Sequence, residues 1–175
     1  IIEELINTMA PIAKKGDNLL VLEKSQDIPN LYNDAVKFRQ LFLNLLSNAL
    51  KFTHSGKVTI LVTYNEKTRH AVYHVSDTGI GMTPSQLTRV FEAFVQADSS
   101  TSKKYGGTGL GLAICKQFVE LMDGSMDVTS AEGEGTTFTI LLPTRMPMQK
   151  NTDAIPAENQ QELGLDLNSA MDSES

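Results

Sequence analysis

The stretch FRQLFLNLLSNALKFT, residues 38–53, limits the fold more than any other part of the chain. At 100° per residue, Phe38, Phe42, Leu45, Leu46 and Ala49 share one broad apolar face, the mark of a helix laid against a core. Asn44, Asn48 and Lys51 stand at i, i+4 and i+7 and form a narrow polar stripe at the edge of that face. Two amides and an ammonium in one row can offer carbonyl oxygens to a hard cation and positive charge to an anion. Alone, the same stripe also fits a polar flank half in solvent. The segments downstream decide between the two readings.

Asp34 stands where an N-cap belongs for this helix, and Ser55-Gly56 is expected to end it. Val58, Ile60, Val62 and Tyr64 alternate with polar residues, and residues 71–76 follow after a turn at 65–68, so the two segments predict an antiparallel hairpin. The second strand delivers the turn DTGIGM at 77–82. A short helix and loop around Phe91 and Phe94 come next. The polar segment 98–105 has no period, and GGTGLG at 106–111 opens a helix to Met122 with Leu110, Ile114, Phe118 and Leu121 expected inward. Gly124 stops that helix. Two further strands are predicted at 125–130 and 136–142. Ahead of all this, Ile2, Leu5, Ile6, Met9 and Ile12 have helical spacing, with Pro11 expected to kink or end the helix. A turn at Gly16-Asp17 and a strand at 18–23 lead to the loop that carries Pro29.

Composition narrows the function. The chain has 175 residues, 41 % hydrophobic and 21 % charged, which suits one soluble domain with a proper core. Six acids against one base lie from Met146 onward, so most of the net charge of −6 belongs to that end. An acidic surface argues against nucleic acid as a partner. The single Cys115 cannot form an internal disulfide and fits a reducing compartment. No apolar run approaches the roughly 20 residues of a membrane span. The chain opens mid-pattern without Met and is expected to be a piece of a longer protein. Residues 1–15 read as the end of a connecting helix and first helix, 16–145 as the main domain, and 146–175 as an acidic disordered tail or linker.

The glycine turns add chemistry to the polar stripe. At the end of a buried strand, the Asp77 carboxylate can accept from the exocyclic amine of adenine, while Gly79 and Gly81 let backbone close on a flat ring. A turn Asp that satisfies only its own backbone is the plainer alternative. Gly107, Thr108, Gly109, Leu110 and Gly111 open a helix whose free N–H groups and dipole suit phosphate. No G-K-[ST] follows, and the spacing does not match a dinucleotide fingerprint. Lys103 and Lys104 stand just before, able to fold over a triphosphate or simply to be solvated. Taken together the parts describe a nucleotide site, with adenine on Asp77, metal on Asn48, and phosphates on Lys51 and the helix start.

These motifs resemble the catalytic, ATP-binding domain of sensor histidine kinases, in the wider superfamily that includes DNA gyrase and the heat-shock chaperone ATPases. The N box resembles NLLSNALKFT (44–53), the first glycine box DTGIGM (77–82), and the F box FEAFVQAD (91–98). The second glycine box resembles GGTGLGL (106–112) and the last GEGTTF (133–138). The run QADSSTSKKYGGTGLGLAI is most similar to hybrid kinases, in which a receiver domain follows. The resemblance implies a Bergerat-type two-layer α/β sandwich, a mixed and mostly antiparallel sheet covered on one face by helices, with residues 95–106 as a flexible ATP lid. It implies Asn48 as magnesium ligand with Asn44 close by, Lys51 at the phosphates and Asp77 at adenine. Phe52 and Ile80 would lie near base or ribose, and Thr136 would support the adenine end.

Two departures shape the expected activity. Gln96 stands where many family members carry a lid Arg, which leaves the phosphate role to Lys103 or Lys104. The phosphoacceptor histidine of such kinases is followed by an acid, whereas His54, His70 and His74 precede Ser55, Ala71 and Val75. The chain is therefore expected to bind MgATP and to phosphorylate a histidine on a separate dimerising helical domain, with a receiver domain or response regulator downstream. The fragment itself is expected to be monomeric and cytoplasmic, without direct membrane contact, although its parent could be membrane-anchored. In the hydrolases of the superfamily a Glu one turn before the metal-binding Asn activates water. Asn44 stands there instead and cannot serve as a general base, so hydrolysis should be slow. A nucleotide-gated interaction module without catalysis is the alternative, and an ATP-hydrolysing clamp is disfavoured by Asn44.

Overall fold

The computed structural model describes residues 1–25, 28–29, 31, 33–92 and 110–144. Among the described residues, four helices and five strands follow in the order α1 (Ile2–Lys15), β1 (Leu19–Lys24), α2 (Ala35–Phe52), β2 (Lys57–Asn65), β3 (His70–Asp77), α3 (Pro84–Thr88), α4 (Gly111–Leu121), β4 (Ser125–Ala131) and β5 (Gly135–Pro143). The strands form one mixed sheet in the order β1-β2-β3-β5-β4. β1 runs parallel to β2, with Leu19 opposite Lys57, and the other pairs are antiparallel. The parallel pair needs a crossover, which α2 provides.

The sheet has one apolar face. Val58, Ile60 and Val62 of β2, Ala71, Tyr73 and Val75 of β3, and Phe138, Ile140 and Leu142 of β5 alternate inward and are buried. Against them lie Leu5, Met9 and Ala13 of α1, Phe38 to Leu50 at helical spacing on α2, and Cys115 and Val119 of α4. Phe38, Phe42 and Tyr73 form an aromatic cluster with centroids 4.6–5.6 Å apart. The intervening residues, such as Thr59, His74, Ser76, Thr137 and Thr139, are half-buried on the opposite face. This is the expected two-layer α/β architecture with helices on one side of a mixed sheet.

Local signals account for most boundaries. The Asp34 side chain accepts from the N–H groups of Val36 and Lys37 and caps α2 as expected. Thr83 and Gln86 form a reciprocal capping box at α3. Three expectations are corrected. Pro11 does not end α1, which continues to Lys15 and still buries Ala13 in the core. Packing against β1 and α2 outweighs the lost hydrogen bond. α2 stops at Phe52, before Ser55-Gly56, because Thr53 is already extended. On α4 the inward stripe is Cys115 and Val119, while Leu121 is exposed. The helix is turned by about one residue from the predicted stripe, since it packs on α2 through Cys115, whose thiol lies 3.8 Å from the Leu41 carbonyl. Residues 95–106, expected as a lid, and 146–175, expected as a tail, fall outside the described residues.

Candidate functional site

The end of β3 and the turn after it form a tightly fitted floor. Asp77 Oδ1 accepts from Gly79 N at 2.9 Å. Burial is the main influence on this carboxyl and raises its pKa above the ordinary 3.8; the N–H groups of Gly79 and Thr136 and the Thr53 hydroxyl act in the opposite direction. A side chain at Gly79 has no room, because a Cβ there would lie 2.3 Å from the Phe52 carbonyl oxygen. The same carbonyl accepts from Ile80 N, so the turn is stitched to the end of α2. Gly81 has φ +65°, and a Cβ there would fall 1.9 Å from the Ala131 carbonyl. Across the turn, Ser130 Oγ accepts from Met82 N, donates to the Gly135 carbonyl and meets Thr136 Oγ1 at 2.9 Å. The β4–β5 hairpin thus locks the glycine turn in place. Ile80 projects from it, half exposed.

The polar edge of α2 adjoins this floor. Asn44, Asn48, Lys51 and Phe52 are all half-buried, as the stripe predicts. Burial lowers the Lys51 pKa from its ordinary value, and its Nζ lies 5.0 Å from the Phe52 ring centroid. An ammonium already stripped of some water is suited to an anionic partner. Asn44 Oδ1 accepts from Gln40 Nε2, and the Asn44 side chain also reaches the Cys115 thiol. Burial pushes that thiol up to about 11, so it is neutral and unreactive. Through this contact α4 packs beside Asn44 at Cys115. No side chain caps the first turn of α4 after Leu110, and a Cβ on Gly111 would meet nothing within 4 Å.

Of the predicted residues, Phe52 at the end of α2 is tied to Ile80 of the turn that carries Asp77, Gly79 and Gly81, and Thr136 of β5 lies opposite Asp77; Asn44, Asn48 and Lys51 precede Phe52 on α2, whose Asn44 reaches Cys115 of α4, the helix that Leu110 and Gly111 open. Gln96, Lys103, Lys104, Gly107, Thr108 and Gly109 lie outside the described residues. Phe91 of the expected F box packs edge-on against Phe138 at 6.4 Å, with Lys116 Nζ 5.3 Å from its ring. Among the described residues no group of three or more His, Cys, Asp or Glu could hold a metal. The donor set suits a magnesium ion held by one amide oxygen, water and phosphate rather than by a protein cage.

Sequence reasoning missed several supports. Asn18 Nδ2 donates to the Thr53 carbonyl at 2.7 Å while its Oδ1 accepts from Gly56 N. Thr78 Oγ1 accepts from Lys57 N. Thr53 and Ser130 also touch the floor of the site. Thr53 sits one residue past the helical pattern, where periodicity gives no signal. Ser130 could have been found as a hydroxyl on the inward register of an alternating strand.

The sequence model of the histidine kinase-, DNA gyrase B- and HSP90-like ATPase family matches residues 33–146, and the chain belongs to this family. Among curated relatives, the autoinducer 2 sensor kinase/phosphatase LuxQ of Vibrio parahaemolyticus is 37 % identical over 165 residues, covering 88 % of this chain and 19 % of LuxQ. The circadian input-output histidine kinase CikA of Synechococcus elongatus is 40 % identical over 142 residues, covering 80 % of this chain and 19 % of CikA. The hybrid signal transduction histidine kinase A of Dictyostelium discoideum is 38 % identical over 83 % of this chain and 7 % of its own length. The chain thus spans about a fifth or less of these relatives. Full-length ShkA, solved with AMPPNP, superposes with a TM-score of 0.72 at 31 % identity, over 83 % of this chain and 29 % of ShkA. The catalytic domain of histidine kinase ThkA gives 0.69 at 21 % identity over 82 % of this chain and 90 % of that domain, a likeness of fold. The chain is an ATP-binding domain of the histidine kinase type, and no described helix is long and apolar enough to cross a membrane.

Proposed function

We propose that this domain binds MgATP and presents its γ-phosphoryl to a histidine on a separate helical domain of the parent protein. The observation that carries the reading is the junction of the α2 polar edge with the Asp77 turn, made by the Phe52 carbonyl and the Ile80 N–H. Asp77 accepts from the adenine amine, with Gly79 and Gly81 allowing the ring to lie against backbone. Lys51 and the first N–H groups of α4 hold the phosphates, joined by Lys103 or Lys104. Asn48 is the one side chain assigned to magnesium, which when bound neutralises phosphate charge. Asn44 is an amide tied to Gln40 and the Cys115 thiol, so it withdraws no proton from water, and ATP is held rather than spent. Catalysis is then positioning and charge neutralisation, as phosphoryl transfer mostly requires.

The same reading assigns 16–145 to the ATP-binding unit, 1–15 to the link from the helical domain, and 146–175 to a linker toward a receiver domain, in a cytoplasmic setting. Titration with a fluorescent ATP analogue, with and without magnesium, tests it when hydrolysis is followed in the same tube. Magnesium-assisted binding with almost no turnover is expected. Absence of binding, or rapid steady hydrolysis, overturns it.

A further inference from the structure

The corner between α1 and β1 is bonded to the corner between α2 and β2, and Asn18 stands at the centre of the junction. Its side chain is buried, with 9 % exposure. Nδ2 donates to the Thr53 carbonyl at 2.7 Å, and Oδ1 accepts from Gly56 N at 3.0 Å. Two backbone bonds run beside these, Ser55 N to the Gly16 carbonyl and Leu19 N to the Gly56 carbonyl. The Asn18 backbone N–H meanwhile donates to the Ala13 carbonyl in the last turn of α1, at 2.9 Å. Gly16 leaves the space that the amide needs, since a Cβ there would fall 2.8 Å from Asn18 Nδ2.

The junction bears on the site because of how α2 ends. The last carbonyls of a helix find no partner inside it. Thr53 turns extended, with φ −112° and ψ 134°, so α2 does not close on itself in a left-handed cap. Two successive carbonyls are taken instead by distant segments. Phe52 O accepts from Ile80 N at 3.2 Å on one side, and Thr53 O accepts from Asn18 Nδ2 on the other. There is little slack between them, because a Cβ on Gly79 would already lie 2.3 Å from the Phe52 carbonyl oxygen. A displacement of residues 52–53 is therefore passed to the glycine turn. The backbone bonds Ser55–Gly16 and Leu19–Gly56 suffice to join the two corners. What Asn18 adds is a direct hold on the end of α2.

We infer that Asn18 is a positioning residue for the nucleotide site, acting from the α1 side of the domain without touching the ligand. Its amide fixes the end of α2, where Lys51 and Phe52 stand, and through the Phe52 carbonyl it fixes the Gly79–Ile80 turn beyond Asp77. This role rests on the proposed nucleotide reading of that turn and adds to it what holds the turn in place. Coupling of this kind is reciprocal, so a nucleotide that settles on the turn tightens the Asn18 junction in return.

The test measures binding of a fluorescent ATP analogue to wild type, Asn18→Ala, Asn18→Asp and Leu142→Ala, with thermal melts and with amide hydrogen exchange read by NMR. Asn18→Asp keeps the acceptor for Gly56 N and loses the donor to Thr53. Leu142 is buried on β5 opposite Ala71, at the far end of the sheet from Asp77, so its truncation lowers stability without touching the site. Both Asn18 variants should bind the analogue roughly three- to tenfold more weakly, and their Ile80 amide should exchange faster. Leu142→Ala should bind as wild type despite a lower melting temperature. In wild type, nucleotide should slow exchange at Gly56 N. Wild-type affinity in both Asn18 variants overturns the inference, as does an equal deficit in Leu142→Ala, which would mark a general effect of stability. If neither Asn18 variant folds, wild-type exchange decides, and an unchanged Gly56 amide overturns the inference. Asp77→Asn is measured alongside. If it weakens binding and the Asn18 variants do not, only the inference about Asn18 falls; if none of them weakens it, the base-site reading falls as well.

Discussion

Two faces of α2, a few ångströms apart, are built on opposite terms. Toward the sheet, Leu41, Phe42, Leu45 and Leu46 are buried and Phe42 stacks with Phe38 and Tyr73, so every group there has a neighbour it prefers. Toward the Asp77 turn, Lys51 and Asp77 are both partly desolvated in the direction that disfavours their charges. The first face stabilises the fold. The second holds polar groups in a state that improves when a nucleotide arrives, the usual balance between stability and a prepared site.

The contrast can be broken from either side. Phe42→Ala should cost about 3–5 kcal/mol of folding stability, read from urea denaturation, with nucleotide affinity little changed in the folded fraction. A loss below about 1 kcal/mol would show that the aromatic cluster is not central. Asp77→Asn should leave the fold intact and weaken nucleotide binding by roughly 1–3 kcal/mol, about tenfold to hundredfold. Unchanged affinity would remove Asp77 from the site. Asn48→Ala should lose at least the roughly tenfold that even an outer-shell partner contributes when magnesium is present, and much less in EDTA. Equal losses in both media would disqualify Asn48 as a ligand.

The smallest effect is on the pH dependence of the nucleotide-free protein. The folded pKa of Asp77 is raised above its ordinary 3.8, so the folded state holds the proton more tightly than the unfolded chain. The stability linked to that proton is complete below about 3.8 and is lost as pH rises through the raised folded value. Asp77→Asn does not titrate, so its urea midpoint should fall less than that of wild type across this window. Parallel curves for the two proteins would mean the carboxyl is not desolvated.

The same division explains what could be seen in the sequence. The face of α2 and the strand pairs were legible because burial imposes a period, 3.6 on helices and 2 on strands. The Asp34 cap and the glycine turns were legible because few residues satisfy those backbones. Where two apolar stripes compete, as Leu110, Ile114, Phe118 and Leu121 do with Cys115 and Val119, only the partner helix decides. Pro11 was misjudged because tertiary packing overrode a local rule. Thr53 and Asn18 were hidden for another reason. Each is placed by the contact between them, distant in sequence, and no local pattern encodes it.

The sheet order has a consequence for how this protein reaches its working form. β2–β3 and β4–β5 are neighbours along the chain and can close as hairpins on the microsecond scale. The β3–β5 ladder, which sets Asp77 opposite Thr136, joins segments separated by α3 and α4, and β1 finds β2 only after the α2 crossover has formed. Long loops must close before these pairings are rewarded, so they come late. The approach of Gly135 to Asp77 and the bond from Met82 N to Ser130 Oγ are made only by that final zippering. Nucleotide binding is therefore a readout of completed folding, and a nascent chain that has not yet added β5 should have hairpins and helices but no base pocket.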